Sequence, residues 1–259
     1  MKVQVALAAE DAMVTGKIDG AQQRVLLPHA RTPGPVGISL MRDEVRMSTR
    51  DLVSQMLTIS DNVATDELIG LVGLDAINSM TVGIGLSHTL IASDLITMLD
   101  ELAVEVGFAD YATLAAHDPS VPGPPSTAEL RDRLASAAAL DPTRGSRTTA
   151  AETVRLLQAI WTDGVAHPDA CASVRHAMRH QLTRNRIASG FGGEVATAAK
   201  SGGLMGIVRN EAGVVAFPDG QAYAVAVFTR RAPDVTTDPA AIDAGIGRIA
   251  RILVDELRS

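Results

Sequence analysis

At 259 residues and 27.1 kDa, with 46% apolar and 20% charged residues, the chain is long enough to bury a large core, which excludes a disordered or fibrous protein. A net charge of −7 argues against a dedicated nucleic-acid binder, and a single cysteine, Cys171, excludes an intrachain disulfide and a cysteine-built metal site. No apolar run reaches ~18 residues, so no transmembrane helix is expected.

The first residues carry Lys2 and a short apolar run that contains Gln4 and ends at Glu10-Asp11. They read as a helix over 3–15, not as an export signal. Residues 21–47 read mostly as loop, because Pro28, Pro33 and Pro35 break any periodicity. Ser48-Thr49 then caps a helix with Leu52, Val53, Met56 and Leu57 on one face. Ser60-Asp61-Asn62 interrupts it, and helices resume through Ala64, Leu68 and Leu71 and over 74–82. A helical block is expected over 92–139, in pieces at 94–106, 108–116 and 127–139, divided by a Pro/Gly segment over 118–125. Thr149-Ala150-Ala151-Glu152 has the pattern of a capping box opening a helix that runs to Trp161, and another helix spans 168–181.

Strand-like stretches follow at 195–201, 211–217 and 221–230, the last two joined by the turn residues Pro218-Asp219-Gly220. Asp238-Pro239 starts a final helix carried by Ile242, Ile246, Ile249, Leu253 and Leu257. The layout is α+β: a helical part over 1–190, then a small antiparallel sheet and a C-terminal helix over 191–259, in one domain.

Of 23 basic residues only Lys2, Lys17 and Lys200 are lysines. Where arginine is the default cation, a retained lysine stands out, because lysine can lose its proton when desolvated and arginine cannot. Taken singly, Ser60-Asp61-Asn62 reads as a turn and cap, Lys200-Ser201-Gly202-Gly203 as a strand end turning through glycines, and Lys2 as a surface lysine. Taken in order they match more. A Ser-x-x-Lys pair, then Ser-Asp-Asn, then Lys-Thr/Ser-Gly is the signature of class A β-lactamases and penicillin-binding proteins. Met56-to-Ala64 and Gln181-to-Gly190 also look like the family's flanking stretches, and Arg209-Asn210-Glu211 falls where many members place a substrate-binding arginine. The chain therefore resembles the class A β-lactamase-like serine hydrolases over roughly 1–91 and 141–259.

The resemblance implies a β-lactamase/transpeptidase-like fold and an acyl-enzyme acting on β-lactams or related amides and peptides. Lys2 would be the base, Ser60 would pass a proton to the leaving nitrogen, and Lys200 would tune the potential at Ser60. Asn62 would hold Lys2 and the substrate amide. Ser201 and Arg209 would bind the substrate carboxylate, and Gly202 and Gly203 would line the site, with the Gly203 N–H as an oxyanion donor. It implies no cofactor, a small β-lactam or peptidoglycan-like substrate, and work outside the cytoplasmic membrane.

Two departures set expectations of their own. The position three residues before Lys2 precedes Met1, so the nucleophilic serine is expected upstream, with the family's first two strands and first helix. Without the first strand, 221–230 would be a bare apolar edge, through which the chain is expected to self-associate. The family's Glu-x-x-Leu-Asn loop has no counterpart between Leu90 and Asp141; Asp94, Asp100, Glu101 and Glu105 are the nearby carboxylates, and none inherits its role. That favours a slow deacylator, of D-Ala-D-Ala peptidase or esterase type, or a non-catalytic relative that keeps the pocket for binding. His176 and His180 have the spacing of a helical zinc pair, but no third ligand accompanies them and no metal is expected.

Overall fold

The helix expected at the start forms as α1, Lys2–Val14, and it is the buried spine of the molecule. Val5, Ala6, Leu7 and Ala9 are all fully buried, and the alanines let neighbouring helices approach closely. Around it pack α2 (Thr49–Thr58), α3 (Asn62–Val72), α4 (Leu74–Gly83) and α9 (Pro168–Arg179), which contribute Leu52, Met56, Leu57, Leu68, Ile77 and Val174. Each such side chain is worth about 1.5–3 kcal/mol of burial. These facts come from a computed structural model, which describes residues 1–118, 125–232 and 238–259, with the side chain of residue 128 set aside.

The loop expected over 21–47 is not all loop. Gln23–Leu26 (β1) and Val45–Ser48 (β2) pair antiparallel, with Leu26 opposite Val45. The prolines lie between the two strands and do not interrupt either.

Leu95–Glu105 (α5), Tyr111–Ala115 (α6) and Thr127–Ala135 (α7) form the helical block, with a core of Leu102, Ala103, Val106, Leu114 and Leu134. Most of the Pro/Gly segment, 119–124, lies outside the described residues. The root of the block is tied. Leu90 and Arg147 exchange N–H to C=O bonds at 2.9 Å both ways, and the Ala92 N–H reaches Ser146 Oγ at 3.0 Å.

Ala150–Trp161 (α8) opens at Thr149, whose side chain accepts from Glu152 N–H. The box does not close, which corrects the expectation. The Glu152 carboxylate instead accepts from His88 N–H at 2.9 Å and Thr89 Oγ1 at 2.6 Å, which pins the start of α8 to that root. A reciprocal box forms at α7 instead, between Ser126 and Glu129.

Ala196–Leu204 (β3), Val208–Ala216 (β4) and Ala222–Arg230 (β5) make an antiparallel sheet in the order β3-β4-β5. Side chains alternate between its two faces. Ala198, Ala212 and Val214 join the core around α1, while Val215, Val225 and Val227 pack against Ile246, Ala250 and Val254 of α10 (Pro239–Arg258). Gly247 of α10 lies close enough to the 187–190 turn that a Cβ on Gly190 would come within 2.2 Å of its carbonyl oxygen. Among the described residues β5 pairs only with β4, so its outer edge is open.

Candidate functional site

The short break between α2 and α3 presents two of the motif residues. Asp61 is fully buried and acts as a double anchor. One carboxylate oxygen caps α3 by accepting from Ala64 N–H at 2.9 Å, and the other accepts from Ile38 N–H at 2.6 Å. The approach of Gly37 is so close that a Cβ there would lie 2.1 Å from Asp61 Oδ2. Ser60, held just before this anchor, takes φ = +67°, a left-handed conformation that costs a serine about 1 kcal/mol. Such strain persists only where the surroundings enforce it.

Lys2, the first residue of the buried helix α1, reaches into this break. Its Nζ donates to the Ser60 carbonyl at 2.6 Å, to Ser60 Oγ at 3.2 Å and to Asn62 Oδ1 at 2.9 Å. Asn62 is fixed in turn by donating to the Pro33 carbonyl at 2.9 Å. All these acceptors are neutral, so burial dominates and lowers the Lys2 pKa to about 8, with Asp61 and Asp66 pulling the other way. On the far wall, Lys200 Nζ donates to the Ser201 carbonyl at 2.8 Å. Burial, followed by the charge of Lys2, takes its pKa to about 7, against the pull of Glu211. Near neutral pH both lysines are therefore close to giving up a proton.

These residues share one cleft of about 510 Å³, lined by Lys2, Ser60, Asn62, Lys200, Ser201, Gly202 and Gly203. The sequence reading of a strand turning through its glycines does not hold. β3 runs on through Gly202 and Gly203, which stand opposite Asn210 and Arg209, and the chain turns at Met205 and Gly206, both at positive φ. Lys200 to Gly203 thus form a straight cleft wall.

Arg209 is not brought to the cleft lining. Its guanidinium forms a two-point ion pair with Asp243 of α10, at 2.8 and 2.5 Å. Asp243 also takes Arg186 Nε at 2.9 Å, and Arg186 donates to the carbonyls of Gly202 (2.8 Å) and Asn210 (2.6 Å). Sequence reasoning did not single out Arg186, although it lies within the 181–190 stretch. Asp66 was also missed. It accepts from Thr32 Oγ1 and from the N–H groups of Leu95 and Ile96, joining α3 to the start of α5.

The carboxylates of the helical block face elsewhere. Asp94 caps α5, Asp100 accepts from Tyr111 N–H, and Glu105 pairs with Arg144 at 2.6 Å. Asp100, Glu101 and Glu105 border a separate hollow, and α5 offers the cleft only Leu95, Met98 and Leu99. Glu211 is the one carboxylate among the described lining residues, and it is bonded to Gln181 and to the Ile187 N–H. His176 and His180 lie with ring centres 4.5 Å apart. Among the described residues no group of three potential metal ligands is gathered, and no helix is long and apolar enough to cross a membrane.

Comparison with known proteins bears on the family and the fold. The sequence model described as the beta-lactamase enzyme family matches residues 1–257. The beta-lactamase regulatory protein BlaB of Streptomyces cacaoi is 30% identical over 270 aligned positions, spanning all of this chain and 84% of that protein. The crystal structure of a β-lactamase from Sphaerobacter thermophilus is similar with a TM-score of 0.73 at 24% identity, covering 98% of this chain and 80% of that one. A class A β-lactamase representative from Bacteroides cellulosilyticus gives 0.71 at 22%, covering 98% and 82%. The structure of PBP-A gives 0.70 at 19%, covering 98% and 79%. At these identities the structural matches establish the β-lactamase/transpeptidase fold.

Proposed function

The chain belongs to the beta-lactamase enzyme family, and from that premise we propose that its cleft serves serine acyl transfer on β-lactams or related amides and peptides. The observation that carries this reading is the Lys2–Ser60–Asn62 cluster facing Lys200 across one cleft. The nucleophile is a serine three residues ahead of Lys2, outside the 259 residues. With α1 extended by one turn, that serine falls on the same helix face as Lys2.

Neutral Lys2 takes the serine proton as the Oγ–C bond forms. The C–N bond of the ring or amide then breaks, and the leaving nitrogen receives a proton from Ser60 Oγ, which recovers one from a protonated lysine. Lys200 and Ser201 offer cation and hydroxyl to the substrate carboxylate. Arg209 is held by Asp243 away from the cleft lining, and Arg186, bound to the same acid, braces that wall through the Gly202 carbonyl. Gly203 N–H is one oxyanion donor.

Deacylation is slow in this reading. Leu95, Met98 and Leu99 give α5 an apolar face toward the cleft, and Glu211 is occupied by two donors. Among the described lining residues, a hydrolytic water would find no free carboxylate to activate it. That points to a long-lived acyl-enzyme more than to efficient lactam hydrolysis. A second reading, ligand binding without turnover, draws on the regulatory role in the name of the Streptomyces cacaoi relative.

The test is an intact mass of the protein from its native cells, with and without benzylpenicillin. Ring opening loses no atoms, so acylation adds one whole drug molecule. A stable adduct on a species heavier than 27.1 kDa supports the acyl-transfer reading. Saturable binding without an adduct overturns it in favour of the binding role.

A further inference from the structure

Behind the Lys200–Gly203 wall stands a buried acid that the proposed chemistry does not use. Glu211 in β4 lies directly opposite Ser201 in β3 and is 1% exposed. One carboxylate oxygen accepts from Gln181 Nε2 at 2.9 Å, the other from Ile187 N–H at 2.5 Å. Gln181, also buried, donates from Nε2 to the Thr183 carbonyl at 2.9 Å as well, and its own oxygen accepts from the backbone N–H of Ser201.

The orientation of this amide is forced. Burial pushes the Glu211 pKa up, against the Gln181 and Ile187 donors that favour the ionised form, and as a carboxylate it only accepts and so takes the amide nitrogen. The amide oxygen is left for the Ser201 N–H, which only donates. Turned over, Gln181 would set oxygen against carboxylate and N–H against N–H, and the unpaired groups would be buried.

We infer that Glu211 is a positioning residue: through Gln181 it fixes the Ser201 N–H, and with it the setting of Lys200, Ser201 and Gly202 along the cleft. Its consequence for ligands rests on the proposed function; its structural half does not. The carboxylate also supports the charge of Lys200, whose pKa it raises against burial.

In Glu211→Gln the new amide keeps its oxygen on the Ile187 N–H and turns its nitrogen to Gln181. Gln181 must then flip, bringing its NH2 against the Ser201 N–H. The double exchange Glu211→Gln/Gln181→Glu restores the bonds to residue 211 and to the Ser201 N–H, at the cost of the donor that Gln181 gives the Thr183 carbonyl. The amide at 211 donates to the carboxylate at 181, whose second oxygen accepts from Ser201 N–H.

The experiment uses the full chain with ¹³C-labelled lysine and ¹⁵N backbone, read by NMR. Three lysines give three signals. Glu211→Gln is expected to lower the Lys200 titration midpoint and to speed hydrogen exchange at Ser201 N–H about tenfold or more, the loss of roughly one buried hydrogen bond. The double exchange is expected to restore the slow exchange. Unchanged Ser201 exchange and an unmoved Lys200 midpoint in the single variant overturn the inference, as does a folded double variant that leaves Ser201 unprotected. If the single variant fails to fold, a folded double variant with Ser201 protected supports the inference; if neither folds, Gln181→Met, which removes the relay and keeps Glu211, decides it, Ser201 exchange about tenfold faster or more supporting the inference and unchanged exchange overturning it. Benzylpenicillin is added last. If it forms no adduct with the encoded protein that carries the serine ahead of Lys2 while the exchange results hold, the proposed function fails and the positioning role of Glu211 stands.

Discussion

Lys2 Nζ and Ser60 Oγ lie 3.2 Å apart across 58 residues of sequence, and the same ammonium holds the Ser60 carbonyl at 2.6 Å. The lysine therefore fixes both ends of the serine, its backbone in the left-handed region and its hydroxyl toward the cleft. Ser60→Ala keeps the backbone and loses only the hydroxyl. Its urea midpoint is expected within about 0.5 kcal/mol of wild type, while penicillin adduct formation by the encoded protein falls about a hundredfold or more. An adduct formed at the wild-type rate would remove Ser60 from the proton path.

Lys200 makes stability depend on pH. Its folded pKa is about 7 against an ordinary 10.5, so unfolding takes up a proton anywhere between the two. Stability rises with pH across that window, and the penalty for burying the charge is in full force below pH 7. Lys200→Met should thus be more stable than wild type by roughly 1–4 kcal/mol at pH 6, with the gain shrinking toward pH 10. Urea titrations at several pH values check the sign; a variant less stable at pH 6 contradicts it.

Asp61 accepts from two buried N–H groups, those of Ala64 and Ile38. Asp61→Ala leaves both unpaired and is expected to cost about 2–4 kcal/mol, read as a lower urea midpoint with unchanged slope. A cost under about 1 kcal/mol would mean the Ser60–Asn62 break is not anchored through this residue.

β5 has an open outer edge among the described residues, and Ile249, Leu253 and Leu257 of α10, the helix that packs against β5, are exposed. Antiparallel pairing of two β5 strands about Val225 would set Arg231 of one copy opposite Asp219 of the other. The 259-residue chain is therefore expected to dimerise at micromolar concentration in sedimentation velocity, with Leu253→Glu shifting it toward monomer. A wild-type monomer at all concentrations would end this idea.

Most helices were legible because each buries one face at a 3.6-residue period, as Leu52, Val53, Met56 and Leu57 do. The cluster of Lys2, Ser60, Asn62 and Lys200 was legible only as an ordered set of motifs, since nothing local brings residue 2 to residue 60. β1 and β2 were not legible: four residues each, separated by a proline-rich span, they carry too little pattern to outweigh the breakers. The Thr149–Glu152 pattern located a helix start correctly and misjudged the acid, because a distant turn at His88-Thr89 competes for the same carboxylate. The binding of Arg209 by Asp243, and the chain from Glu211 through Gln181 to Ser201, depend on how the sheet meets α10 and the 181–190 stretch, and no spacing along the sequence encodes that meeting.

The tie at Leu90 and Arg147 has an evolutionary consequence. The segment between them leaves and re-enters the fold at one hydrogen-bonded residue pair, and it is also held by Asp66 at α5, by Ile207 in its core and by Arg230 at the Ala135 and Leu140 carbonyls, so changes that keep these contacts leave α1 and both cleft lysines in place. Yet α5, at its leading end, supplies one wall of the cleft. Selection can therefore exchange a single cassette to change which molecules stay bound, and for how long, while the residues opposite remain in place.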